Sequence, residues 1–261
     1  MIIIVCFLVA FLACTIGKIC GMGGGVIIKP VLDALGVANV SAINFISGST
    51  VIGMTCWSVG KALIKKDSQI DLKVSTPLAI GAAIGGIVGK ALFSKVSSLF
   101  ASADIAGGVQ ASVLLVLTFG TLLYTIYKDK IKSYSVRNWV ACIVIGFLLG
   151  MLGSFLGIGG GPFNMAVLYF FFSMTTKVAA QNSLYIILIS QVAGMAKIFF
   201  SGSVPEVKPM LLIGMILFGV LGSEIGGRLN KKFKEDTVTK LFEGSMLLVI
   251  LICSYNIIRF F

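Results

Sequence analysis

The sequence predicts an all-α polytopic membrane protein made of two homologous, inverted repeats. Three observations lead there. The chain has 261 residues, of which 57% are hydrophobic and only 12% charged, with a mean hydropathy of +1.05. A soluble domain is closer to a quarter charged. Apolar runs near 20 residues recur from end to end, each long enough to cross a bilayer as a helix. A glycine cluster occurs twice at a constant offset, as Gly17-Lys18-Ile19-Cys20-Gly21-Met22-Gly23-Gly24-Gly25 and as Gly153-Ser154-Phe155-Leu156-Gly157-Ile158-Gly159-Gly160-Gly161. Each repeat is expected to hold four full spans and a short broken-helix segment, giving 8–10 transmembrane segments.

The first span is expected at 2–20. Its start, Met1-Ile2-Ile3-Ile4-Val5-Cys6-Phe7, lacks the basic region of a signal peptide and reads as a retained helix. After the first cluster come a short apolar segment, 26–36, and spans at 40–62, 73–95 and 105–127. The hydrophilic connector Lys128 to Arg137 marks the boundary between repeats 1–132 and 133–261. The second half repeats the pattern with 138–156, the short segment 162–173, then 178–200, 208–229 and 241–260. The likeness extends past the glycines. Asn44 matches Asn182, Asp71-Leu72-Lys73 matches Glu206-Val207-Lys208, and Gly85 to Gly89 line up with Gly222 to Gly226.

Basic residues favour inversion. If each short segment returns the chain to its starting side, Lys61, Lys65, Lys66, Lys73, the connector, Lys177 and the run from Arg228 to Lys240 share one side. Lys90, Lys95, Lys197, Lys208 and Arg259 remain on the other. Folding the segments into the first span of each half gives a weaker bias. The positive-inside rule then puts both termini outside a multi-pass protein of the cell inner membrane. An 11-residue helix rises only about 16 Å, so the short segments cannot span alone. They are expected as half-helices shielded by protein. The net charge of +11 is read as topology and headgroup contact, with no nucleic-acid partner.

The clusters suit ligand chemistry. Consecutive glycines break a helix, permit positive φ and let a ligand approach the backbone. The half-helix that follows presents free N–H groups and a positive dipole end, and Pro162 fits the first turn of the second one. Gly23, Gly24, Gly25, Gly159, Gly160 and Gly161 are therefore the expected core of a substrate site for a small oxyanion. Asn44, Asn182, Gln191 and Ser49 are candidate lining residues, and Lys18 and Lys29 candidate counter-charges. Glu224 is a candidate proton carrier, weighed against pairing with Arg228 one turn on. Gly81, Gly85 and Gly89 have the small-xxx-small spacing of close helix packing. The six cysteines form no CxxC pair and the chain has no histidine, so no metal site, disulfide framework or cofactor is expected.

At Gly21-Met22-Gly23-Gly24-Gly25 followed by Pro30, and at Gly157-Ile158-Gly159-Gly160-Gly161 with Pro162, the chain resembles the sulfite exporter TauE/SafE family, the TSUP permeases. The resemblance covers essentially the whole chain. It implies transport of sulfite, sulfonates or related organosulfur anions, with no enzymatic activity. Alternating access would proceed around a midplane site formed by the two glycine breaks. The expected partners are a small anionic substrate, the lipid bilayer and, where the protein oligomerises, a second copy in a homodimer. A passive anion channel and a membrane-embedded enzyme of sulfur metabolism are the competing readings.

Overall fold

The computed structural model describes residues 2–65, 68–100 and 103–260; Met1 and Lys66 of the sequence reading lie outside them. Among the described residues ten α-helices follow in order: α1 Ile2–Cys20, α2 Gly25–Leu35, α3 Val40–Ile64, α4 Leu72–Leu99, α5 Ala103–Tyr127, α6 Trp139–Phe155, α7 Pro162–Phe172, α8 Thr176–Phe200, α9 Pro209–Lys232 and α10 Glu235–Phe260. Seven are long and apolar enough to cross a membrane. The expected span at 138–156 is realised as α6, a 17-residue helix of about 26 Å, at the short end of spanning length. α2 and α7 are the two expected short segments, of 11 residues each.

Local chemistry sets the boundaries. Asn39 caps α3 by accepting from the Ala42 N–H at 2.8 Å, and Asn138 caps α6 through Val140 at 2.9 Å. Pro162 and Pro209 open α7 and α9, where a missing N–H costs nothing. α2 closes on Gly36 in the left-handed region.

Two crossings hold the bundle together, and both use glycine to bring backbones into contact. On α4, Gly81, Gly85 and Gly89 face the carbonyls of Ile143, Phe147 and Met151 of α6 so closely that a methyl would overlap them. On α9, Gly222 and Gly226 meet the carbonyls of Phe11 and Thr15 of α1 in the same way. The small-xxx-small glycines are thus packing residues. α8 lies against α4 and α3 against α9, while α10 pairs with α5.

Hydrogen bonds report which helix ends share a side. The start of α4 meets the start of α8, where Asp71 N and Gln69 N donate to Asn182 Oδ1 and Gln181 Oε1, each at 2.9 Å. The end of α1 meets the end of α9 through Asn230 Nδ2 on the Ile19 carbonyl, 2.8 Å. The ends of α3 and α9 meet at Lys61 and Glu224. On the opposite side the end of α2 meets the end of α10, with Arg259 Nη1 donating to the Asp33 carbonyl at 3.0 Å.

Candidate substrate site

The two glycine loops meet at the centre, between α3 and α8. Gly21 and Gly23 both have φ of 73°, and the matching Gly157 and Gly159 have 70° and 80°. Only glycine takes up this left-handed region readily. A methyl on Gly25 would overlap the Ile158 carbonyl, so the loops touch each other directly. One on Gly157 would overlap the Asn44 side chain, and one on Gly21 the Ala180 backbone.

The positive-φ turns serve first as helix ends. The N–H groups of Gly157, Ile158 and Gly159 turn back onto the carbonyls of Ser154, Gly153 and Gly153, at 3.2, 3.2 and 3.1 Å. The Gly24 N–H donates to Met54 Sδ at 3.3 Å. In this conformation Gly24 and Gly159 therefore do not offer the open donors expected from sequence.

Unpartnered polar groups gather around the second loop instead. Asn44 Oδ1, the Ser47, Ser154 and Ser190 hydroxyls, Asn164 Oδ1 and both amide atoms of Gln191 are buried with no hydrogen-bond partner among the described residues. Gln191 packs on Gly159, Asn164 on Gly160 and Asn44 on Gly157. Buried polar atoms are normally satisfied, so this cluster is exceptional and has hydrogen-bonding capacity to spare.

Sequence equivalence misled at Asn182. Its amide is fully engaged, accepting from Asp71 N at 2.9 Å and Ser75 Oγ at 2.5 Å and donating to the carbonyls of Gln69 and Val178. Asn182 ties α8 to α4, whereas Asn44 stays open beside its loop. Ser49 is only half-buried on α3.

The charged candidates separate as well. Lys29 is 2% exposed and pairs at 2.5 Å with Asp33, also buried, one turn along α2. Asp33 escaped the sequence reading, although its position four residues after Lys29 was a usable signal. Lys18 and Glu224 both line a cavity of about 390 Å³. Its other charged walls are Lys61, Lys65, Lys177, Arg228 and Lys231, so Glu224 is the one carboxylate among the described lining residues. The Lys18 stem lies along a flat track formed by Gly226 and Gly227.

Glu224 is held from several directions. Lys61 Nζ lies 2.5 Å away, Trp57 Nε1 2.9 Å and Arg228 Nε 3.0 Å. The contact with Arg228 was anticipated; those from Trp57 and Lys61 make it a latch between α3 and α9. The cavity wall leads inward to the first glycine loop. Ser223 Oγ donates to the Met54 carbonyl at 3.2 Å, and Met54 Sδ accepts the Gly24 N–H.

Lys90 is the main residue that the sequence misplaced. It was counted with the cations that mark one membrane side at the end of the 73–95 span, yet it is 8% exposed inside α4, which runs on to Leu99.

Comparison with known proteins agrees with this architecture. The chain is 25% identical over 269 residues to a protein described as probable membrane transporter protein YunE of Bacillus subtilis (strain 168), covering 94% of this chain and 95% of that one. No solved structure matches the chain significantly. The family model for sulfite exporter TauE/SafE matches residues 6–252, and the chain belongs to that family.

Proposed function

We propose that the protein is a secondary transporter of small sulfur-containing oxyanions, sulfite or organosulfonates, working by alternating access. The observation that carries this reading is the cationic cavity of about 390 Å³, whose wall is joined through Met54 to the crossing of the two glycine loops. A cavity with excess positive charge and low-dielectric walls concentrates small anions. The open Ser47 hydroxyl and the Gln191 amide nitrogen beyond it can donate to oxyanion oxygens.

Inverted repeats, divided near residue 132, support the alternating cycle. Five passes per half put the starts of α4 and α8 on one side, and the ends of α2 and α10 on the other. Both pairs are in contact. An even number of passes per half would separate them. The cavity then lies on the side rich in lysine and arginine, which the positive-inside rule makes cytoplasmic, with both termini outside.

The test is uptake of sulfite, sulfoacetate and taurine by proteoliposomes of the purified protein. Wild type should move at least one of them, while Gly24→Leu and Gly160→Leu, expressed and folded, should not. Full uptake by both variants would overturn the glycine-centred site. A steady conductance far above carrier turnover would replace the carrier with a channel.

A further inference from the structure

Exchanging the two halves maps one glycine crossing onto the other, contact by contact. Phe11 and Thr15 of α1 correspond to Phe147 and Met151 of α6, and Gly222 and Gly226 of α9 to Gly85 and Gly89 of α4. Next along each crossing stands one lysine. Between α1 and α9 it is Lys18 on α1, with Cε 3.5 Å from where a Gly227 methyl would sit. Between α4 and α6 it is on the other helix: Lys90 stands at the position of Gly227, and Ser154 at that of Lys18. The cation has changed helix and kept its place.

The surroundings of Lys90 are those of an anion site. Its Cγ and the Ser154 hydroxyl lie 3.5 and 3.4 Å from where a Gly194 methyl would be. One turn earlier on the same face of α4, the Ser190 and Ser154 hydroxyls flank Gly86, at 3.0 and 3.2 Å from its would-be methyl. Both hydroxyls are buried and unpartnered. No described carboxylate pairs with Lys90. Lys29 is within electrostatic reach and repels it, while Asp33 is already taken by Lys29. A cation enclosed in a membrane protein without a counter-ion calls for an anion.

We propose that Lys90, with Ser154 and Ser190, binds the transported oxyanion on the face opposite the cavity, as the counterpart of Lys18. The proposal rests on the transporter reading above. Lys18 opens to the cavity, and Lys90 is shut in. In the opposite half of the cycle the two exchange exposure, and the anion passes between them.

Sided accessibility and transport test this together. Lys18→Cys and Lys90→Cys are made with the exposed Cys56 replaced by alanine, and the labelling of the Cys56→Ala protein alone is subtracted. Each is treated from either face with 2-sulfonatoethyl methanethiosulfonate, an impermeant anionic thiol reagent. Lys18→Cys should react from the cavity face and Lys90→Cys from the opposite face only, with sodium sulfoacetate, which does not attack the reagent, slowing both.

In proteoliposomes, Lys90→Gln should raise the sulfite KM about tenfold for entry from the opposite face, the loss of one charge-assisted contact. Lys90→Arg should stay near wild type. The proposal is overturned if Lys90→Cys reacts from the cavity face or from neither. It is also overturned if folded Lys90→Gln keeps the wild-type KM from both faces. Should Lys90→Gln fail to fold, the labelling pattern decides. If wild type moves no oxyanion, the transport reading fails, and sided labelling of Lys90→Cys separates that failure from a misplaced Lys90.

Discussion

Gly85→Ala should destabilise the protein although alanine is the better helix former. A methyl there would stand 2.8 Å from both the Met151 nitrogen and the Phe147 carbonyl carbon, and overlap the carbonyl oxygen. The struck atoms are backbone, so no rotamer change relieves them. α4 and α6 must separate by roughly 1 Å, which forfeits a quarter to a half of each dispersion well along the crossing. Overpacking of this kind costs about 1–3 kcal/mol, and a rigid neighbour puts it near about 3. The melting temperature should fall by about 6–10 °C. Gly120→Ala is the control. It has nothing within 4 Å of the new methyl, so the helix-propensity gain of about 1 kcal/mol should leave it equal to or above wild type. A thiol-reactive dye reads the melt, since Cys6, Cys14, Cys20, Cys142 and Cys253 are buried and Cys56 gives the starting signal. Gly85→Ala melting at or above wild type would refute the backbone-contact argument, as would an equal loss in Gly120→Ala.

Asn182→Ala should cost about 1–3 kcal/mol because it strands buried partners; Asn44→Ala should cost under about 1 kcal/mol and still impair sulfite uptake, as melting and flux assays on both will check. Lys29→Met should lose about 3–5 kcal/mol by leaving Asp33 buried alone. The double variant Lys29→Met/Asp33→Leu should regain most of it in the same melt. Glu224→Gln should lower the sulfite KM and change stability by less than about 1 kcal/mol, since the latch is partly exposed. The pH dependence of uptake should be unchanged; its disappearance would identify Glu224 as the proton carrier.

Element order was legible because apolar length and glycine breaks are local signals. All eight expected spans and both short segments correspond to helices, with shifts of a few residues at their ends. The site was less legible because it depends on which faces meet. Asn44 and Asn182 match in sequence, but one faces a glycine loop and the other the start of α4. Lys90 looked like an end-of-span cation because the expected span stopped at 95; α4 runs on to Leu99, and packing on α8 encloses the lysine. Asp33 was readable at four residues after Lys29 but passed over, whereas Lys61 stood out only through its contact with Glu224.

The two half-helices are closed at different times during synthesis. The last carbonyls of α7, on Phe170 and Phe171, accept from Tyr134 and Val136 at 2.7 and 2.8 Å, residues translated before them. Those of α2 are capped in part by neighbours in sequence, the Gly36 N–H on Asp33 at 3.1 Å and the Val37 N–H on Leu32 at 3.4 Å, and receive the rest from the far end of the chain. Asn256 reaches the Pro30 carbonyl at 2.8 Å, and Arg259 the Asp33 and Ala34 carbonyls, from about 226 residues downstream. At 5–20 residues per second the ribosome needs roughly 10–45 s to cover that distance. During that interval α2 lacks the side-chain donors that α10 brings to Pro30, Asp33 and Ala34. A chain cut short before Asn256 would leave α2 without either of these partners.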